Sequence, residues 1–360
     1  MTYDIAIVGA GIAGASLAAA VAPHARVLLL EAEDQAGYHA TGRSAAFWSE
    51  TYGGPGIQPL TSASEAALRD GGFLEPLGSL HIGRAEDAAR IDAFLAAFDG
   101  TAVALSRVDP AASIPGLRPE WTLGVSEPSC AYIDVAALHA FYLGAVRRAG
   151  GTIATRAGLG SATRADGLWT IGTPSGAYRA TLLVNAAGAW ADPVAVRAGA
   201  RPIGIQPYRR TIAQIRTDPA ASAHLPHVAD ISGQFYFKPE AGGRLWLSPH
   251  DETPVAPCDV APEEIDVAIA IDRFEGVVDW RVAAVERSWA GLRSFAPDRL
   301  PVYGFDPQVE GLFWCAGQGG FGIQTAPAGA AVAASLLLGH ALPAGFGSVD
   351  PERYSPARFG

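Results

Sequence analysis

"GAGIAG", Gly9–Gly14, lies between an apolar run, Tyr3–Val8, and an Ala-rich stretch that continues to about Ala22. The spacing is G-x-G-x-x-G. Gly9 permits a tight turn, Gly11 lets the backbone approach a pyrophosphate, and Gly14 allows a helix to pack closely on a strand. Strand, glycine turn and helix in that order set helix N-terminal N–H groups against phosphate charge. A second apolar run, Arg26–Leu30, closes on Glu31, where a carboxylate about 20 residues downstream can hold ribose hydroxyls. Near-continuous apolar strands of this kind suit a parallel sheet covered on both faces. The motif predicts a dinucleotide-binding α/β fold and leaves FAD and NAD both open.

Two later glycine turns favour FAD. "NAAGAW", Asn185–Trp190, follows a buried-looking strand from Thr181, and "GQGGFGIQT", Gly317–Thr325, opens the final helix. Backbone N–H groups there suit the flavin pyrimidine edge, where negative charge develops upon reduction. Between these turns the texture changes. Residues 70–130 mix short strand-like pieces with a helix near Glu86–Phe98 and Pro-rich turns. Asp134 reads as the N-cap of a helix to about Arg148, followed by a strand Thr152–Thr155. Residues 203–293 alternate as β-strands do, with one helix near Glu263–Phe274. The expected fold is α/β (α+β overall): a Rossmann-like FAD-binding domain with an inserted mixed β-sheet substrate domain. Residues 1–70, 134–202 and 300–345 are assigned to the first, 71–133 and 203–299 to the second, and 346–360 to a C-terminal tail.

Composition narrows the function classes. Of 360 residues, 49% are hydrophobic and 17% charged, and the net charge is −10. A large core is expected, and the acidic balance argues against nucleic acid. No apolar run reaches the roughly 18 residues of a membrane span, and the N-terminus lacks a basic region before its Ala-rich stretch, so a secretory signal is not expected. Cys130, Cys258 and Cys315 are far apart, with no CxxC, and the histidines show no HxxxH. A reducing compartment, a cytoplasmic location and no metal are the expectations.

The chain resembles the flavoprotein family of D-amino acid oxidase, glycine oxidase and sarcosine oxidase, and within it the bacterial D-arginine-type D-amino acid dehydrogenases. The resemblance runs through "GAGIAGAS", "GYHATGRSAA", "VNAAGAWAD", "QPYRRT", "FYFKPE", "WAGLRSF" and "QGGFGIQT". It implies non-covalent FAD, since the cysteine that carries the flavin in the sarcosine oxidase branch is missing and Cys315 reads as core. The implied cofactor contacts are Gly9, Gly11, Ile12, Ala13 and Gly14; Glu31 and Ala32; Thr41, Gly42, Arg43, Ser44 and Ala45; Ala187, Gly188 and Trp190; Gly291; and Gly317, Gly319, Gly320, Phe321, Gly322, Ile323 and Gln324. Arg293 resembles the arginine that holds the substrate carboxylate, a role that suits a planar guanidinium fork. Tyr236 resembles the phenol that assists it. Tyr52 and Arg210 match further pocket positions, and Gly320 matches a backbone group that meets the substrate amine. Lys238, two residues after Tyr236, is read as sharing its face with a solvated or structural role. Thr41 and His39 could both touch the cofactor, with His39 read rather as an ordinary loop histidine.

Two departures bear on specificity. Where the D-arginine type has a histidine after "GRSAA", this chain has Phe47, followed by Trp48. Where that type has a glutamate for the cationic side chain, Ser79 stands instead. A buried guanidinium without its carboxylate costs several kcal/mol, so arginine specificity is not expected, and Phe47 with Trp48 suggests a wall for an apolar or small side chain. The implied reaction is oxidative deamination of a D-amino acid by hydride transfer to flavin N5, giving an imino acid and then a 2-oxo acid. Oxidation of a secondary amine of the sarcosine or glycine type, or of a 2-hydroxy acid, stays open, as does a non-catalytic FAD subunit. The expected partner is a small amino acid. The electron acceptor is left open, with a quinone or another carrier favoured by the resemblance, as is a membrane-peripheral placement.

Overall fold

The computed structural model describes residues 2–359. Strand Thr2–Val8 pairs in parallel with Val27–Leu30, Ile5 opposite Val27 and Val8 opposite Leu30. On its other side it pairs in parallel with Gly176–Asn185, which in turn pairs with Leu312–Ala316. Side chains alternate across such strands. Ile5 and Ile7 therefore enter one core with Leu17, Val21, Phe313 and Val332 from helices Ile12–Val21 and Ala326–Leu338 and strand Leu312–Ala316. Ala6 and Val8 enter another with Trp169, Val194 and Trp314. Burial on both faces explains why these strands read as unbroken apolar runs.

A second sheet is built on a long antiparallel pair, Gln206–Asp218 with Arg281–Phe295. It continues through Arg244–Ser248, Tyr236–Glu240, His227–Asp230, Ser79–Gly83, Leu123–Glu127 and Ser106–Val108. Helix Glu264–Glu275 covers one face, where Phe274 and Ala270 pack with Phe237, Leu245 and Ile215. The other face carries Ile212 and Tyr236 and meets Ala45 of the segment 37–53. A small third sheet joins Phe47–Trp48, Ala131–Ile133 and Leu74–Pro76. The Asp134 cap is present: its Oδ1 accepts from the Ala137 N–H at 2.9 Å, and the helix runs Val135–Arg148.

Two elements have no counterpart in the sequence reading. Helix Gln58–Asp70 is rich in Ser and Thr, poor helix formers. Its small side chains let it approach the last helix, and the Ser64 hydroxyl accepts from the Ala328 N–H at 3.1 Å. The hairpin Ser161–Ala165/Leu168–Thr173 adds to Gly176–Asn185, which begins five residues before the expected Thr181. The residues expected as a tail form 3₁₀ turns, Pro351–Tyr354 and Pro356–Phe359. Tyr354 is fully buried there, and its hydroxyl donates to Gly56 O at 3.1 Å. Among the described residues, no helix is long and apolar enough to cross a membrane, and no His, Cys, Asp and Glu group could hold a metal.

Candidate active site

The turn after the first strand is shaped by close backbone approach. Gly9 has φ 102°, and a Cβ there would run into the Ala186 carbonyl; a Cβ on Gly14 would run into the carbonyl of Gly9. Helix Ile12–Val21 starts at Gly11 without a side-chain cap from that residue, and the Ile12 N–H donates to Thr41 Oγ1 at 3.0 Å. Glu31 is buried and fixed by the backbone: Oε2 accepts from Ala10 N and Oε1 from Glu33 N, each at 3.0 Å. Beneath the turn, His139 Nε2 lies 2.8 Å from Ala10 O. A carbonyl only accepts, so Nε2 carries the proton. Burial pushes His139 below its ordinary value.

A cavity of about 400 Å³ extends from this turn to the second sheet. Glu31, Glu33, His39 and Trp190 line it, as do Ser44, Ala45, Gly319 and Gly320, and Arg210, Tyr236 and Arg293. His39 is no ordinary loop residue. Its Nε2 lies 2.9 Å from Glu33 Oε1 and its ring packs 4.6 Å from Trp190. An acidic anchor, a helix N-terminus, glycines that admit a flat group and an apolar lining suit a dinucleotide. The residues present fit FAD.

The guanidinium end comes from paired strands. Arg210 lies opposite Gly291, two residues from Arg293, so both side chains rise from the same face. Arg293 sits 5.8 Å from the Tyr52 ring, 5.1 Å from Phe295 and 5.6 Å from Phe321, and a Cβ on Gly320 would overlap its guanidinium. Its Nη1 donates to Glu252 Oε1 at 3.0 Å, while its Nε is buried with no partner. Burial, then the Arg293 charge, pushes the Arg210 guanidinium down. Burial, then Tyr52, pushes Tyr236 up to about 12, so its phenol stays neutral. Burial, then Arg210, pushes His250 down to about 3. These groups offer a carboxylate clamp and no strong base at neutral pH.

The segment 37–53 connects the two ends. Thr41, Arg43, Ser44, Ala45, Phe47 and Tyr52 line the cavity. The Arg43 guanidinium is engaged elsewhere: it pairs with Asp259 and donates to Val260 O at 2.9 Å. Phe47 packs 4.9 Å from Tyr52 and 4.2 Å from His227. Trp48 does not wall the pocket. Successive strand residues face opposite sides, and Trp48 is fully buried in a separate core with its Nε1–H donating to Thr61 O at 3.1 Å.

Among the expected cofactor and substrate residues, Gly9, Gly11, Ile12, Ala13, Glu31, Ala32, Ala187, Gly188, Trp190, Gly291, Gly319, Gly320, Gly322, Ile323 and Gln324 line the cavity. Five lie outside its lining. Gly14 serves helix–strand packing, Gly42 closes a turn through its N–H to Gly37 O, and Gly317 packs near Ala296 and Ile205. Phe321 faces Arg293 instead. Ser79 is buried one layer behind, with its Oγ 3.0 Å from His227 Nδ1. Of the two roles expected for Lys238 the structural one holds: it is buried, pairs with Glu240 and lies over the Tyr132 and Trp246 rings. Cys315 is core, and burial pushes its thiol up to about 12.

Sequence reasoning missed the acids that hold the site. Glu127 is fully buried and accepts from Ser49 Oγ at 2.9 Å, Glu50 N at 2.7 Å and Thr51 Oγ1 at 2.6 Å. It thereby fixes the segment that carries Phe47 and Tyr52. A signal existed: Leu123, Val125 and Glu127 share one face of an otherwise apolar strand. Glu252, on a loop, had none.

A family model described as "FAD dependent oxidoreductase" matches residues 4–336. FAD-dependent oxidoreductase domain-containing protein 1 of Xenopus laevis is 28% identical over 196 residues, 50% of this chain and 38% of that protein. Human mitochondrial dimethylglycine dehydrogenase is 26% identical over 251 residues, 64% of this chain and 29% of that protein. The chain thus spans well under half the length of these two relatives. The solved structure of glycine oxidase from Geobacillus kaustophilus has a TM-score of 0.85 at 22% identity, covering 99% of each chain, and shares the fold.

Proposed function

This chain belongs to the FAD-dependent oxidoreductase family, with FAD as its cofactor, and we propose that it oxidises a D-amino acid with a small or apolar side chain to an imino acid, which water converts to a 2-oxo acid. The observation that carries the reading is the convergence of Arg293, Arg210 and Tyr236 at the end of the cavity beyond Ala45 and Gly320. The glycine turns and Glu31 would hold FAD without a covalent link, and FAD would supply a two-electron acceptor. The Arg293 and Arg210 guanidinium groups hold the substrate carboxylate, and Tyr236 donates its neutral phenol to the same group. Gly320, without a side chain, lets the Arg293 guanidinium lie against its backbone, and that backbone faces the amine end in this reading. Phe47 and Tyr52 form the apolar wall that excludes water and a charged side chain. Positioning of this kind is worth up to about 7–11 kcal/mol in favourable cases, which suits a site without a strong base.

A second reading is oxidation of an N-substituted glycine, favoured by the likeness to dimethylglycine dehydrogenase and to the glycine oxidase fold. One panel separates them: D- and L-amino acids, sarcosine, N,N-dimethylglycine and 2-hydroxy acids, assayed with a dye acceptor and separately for peroxide. Turnover of a small apolar D-amino acid above the others is expected. Turnover of only the N-methylated glycines selects the second reading, and turnover of only 2-hydroxy acids overturns both.

A further inference from the structure

Glu252 lies on the loop after strand Arg244–Ser248 and is the hub of three arginines. Its Oε1 accepts from Arg293 Nη1 at 3.0 Å, Arg210 Nη2 at 3.4 Å and Arg299 Nη2 at 2.8 Å, and its Oε2 accepts from Arg299 Nη2 at 3.0 Å. Arg299 is braced in turn, 3.8 Å over the Phe295 ring. Glu252 does not line the cavity, whereas Arg210 and Arg293 do. It therefore engages the two guanidinium groups from outside the cavity that they line. The next carboxylate, Asp251, is held by the Thr211 N–H at 2.7 Å and hydroxyl at 3.0 Å, and stands 3.8 Å from both Arg209 Nε and Arg210 Nε.

Two bare arginines at the end of a small cavity would attract two carboxylates, because like charges this close are relieved by each anion that enters. We infer that Glu252 is a specificity-determining residue: it acts as the fixed counter-anion of the Arg210–Arg293 pair, aims both guanidinium groups and limits the site to ligands with one carboxylate. The inference rests on the proposed carboxylate clamp. It extends that clamp to a selection between monocarboxylates and dicarboxylates.

Butyrate and succinate test it, being four-carbon acids that differ by one carboxylate and carry no amine to oxidise. Their dissociation constants are read on the flavin-loaded protein from the change in the bound flavin spectrum and by calorimetry. In the parent protein butyrate binds more tightly than succinate. In Glu252→Gln the ratio shifts toward succinate by tenfold or more, about 1.4 kcal/mol, and in Glu252→Asp it stays within threefold of the parent. The ratio cancels any loss of orientation common to both acids, and the flavin spectrum and melting temperature check that each variant folds. A ratio in Glu252→Gln within twofold of the parent, with both acids weakened alike, overturns the inference and leaves the clamp standing. If neither acid binds the parent protein, the clamp fails, and this inference fails with it.

Discussion

The two ends of the cavity are made of different materials. The dinucleotide end is backbone: glycines that admit close approach, a helix N-terminus, and Glu31 held by two N–H groups within three residues of its own position or on the adjacent turn. The arginine end is side-chain charge gathered from afar, with Arg210, Arg293, Tyr236, Tyr52 and Glu252 brought together from different strands and loops. Backbone sites depend on the shape of one short segment, so one residue too large destroys them. Side-chain sites depend on mutual charge compensation, so they lose function by degrees.

The largest expected effect tests the first half of that contrast. Gly14→Val places a branched side chain against the Gly9 carbonyl, where overpacking costs about 1–3 kcal/mol or more. The expected product is protein purified without flavin, read from the ratio of visible to ultraviolet absorbance. Full flavin content would show that the turn tolerates bulk. Arg293→Ala tests the second half. It removes one partner of a buried charge pair and the partnerless Nε, a loss of about 3 kcal/mol, or more than a hundredfold in the KM of an amino acid or the Kd of butyrate, with flavin content intact. An unchanged KM would remove Arg293 from the site.

A smaller effect is expected from Glu127→Ala, which strands the Glu50 N–H and leaves the Ser49 and Thr51 hydroxyls only each other and His81. Unmet buried donors cost about 1–3 kcal/mol. The melting temperature falls, and carboxylate affinity weakens by less than in Arg293→Ala because Phe47 and Tyr52 lose only their support. Equal affinity in the variant would show that the segment holds itself. The smallest effect at neutral pH is that of His250, whose contribution changes only in acid. The folded protein keeps it neutral down to about 3, whereas the unfolded chain takes up a proton near 6.5. The unfolded state thus binds more protons in that window, and stability is full above 6.5 and declines as pH falls toward 3. His250→Gln should flatten this acid limb of the melting curve, and an unaltered limb would assign it to other groups.

The same contrast explains what could be read early. Gly9, Gly11, Gly14 and Glu31 are legible because their spacing is local and their chemistry is backbone chemistry. Arg210, Arg293 and Tyr236 are legible only through family resemblance, since no spacing joins three residues on three strands. Phe47 and Trp48 show where adjacency misleads: strand alternation sends one into the cavity and the other into a core. Lys238 shows where residue type misleads, for two aromatic faces and Glu240 replace the water that a lysine normally seeks. Ser79 lies one layer too deep for its expected place.

By itself the sequence determined the dinucleotide turn, the parallel strands around it and the strand–turn–helix units, because each follows from short-range periodicity and from the steric freedom of glycine. Only the tertiary structure decided which charges meet. The Glu252 hub, the Glu127 support and the pairing of Arg210 with Arg293 depend on strand register and loop paths, and an interaction between residues about 40 apart leaves no periodic trace in the chain.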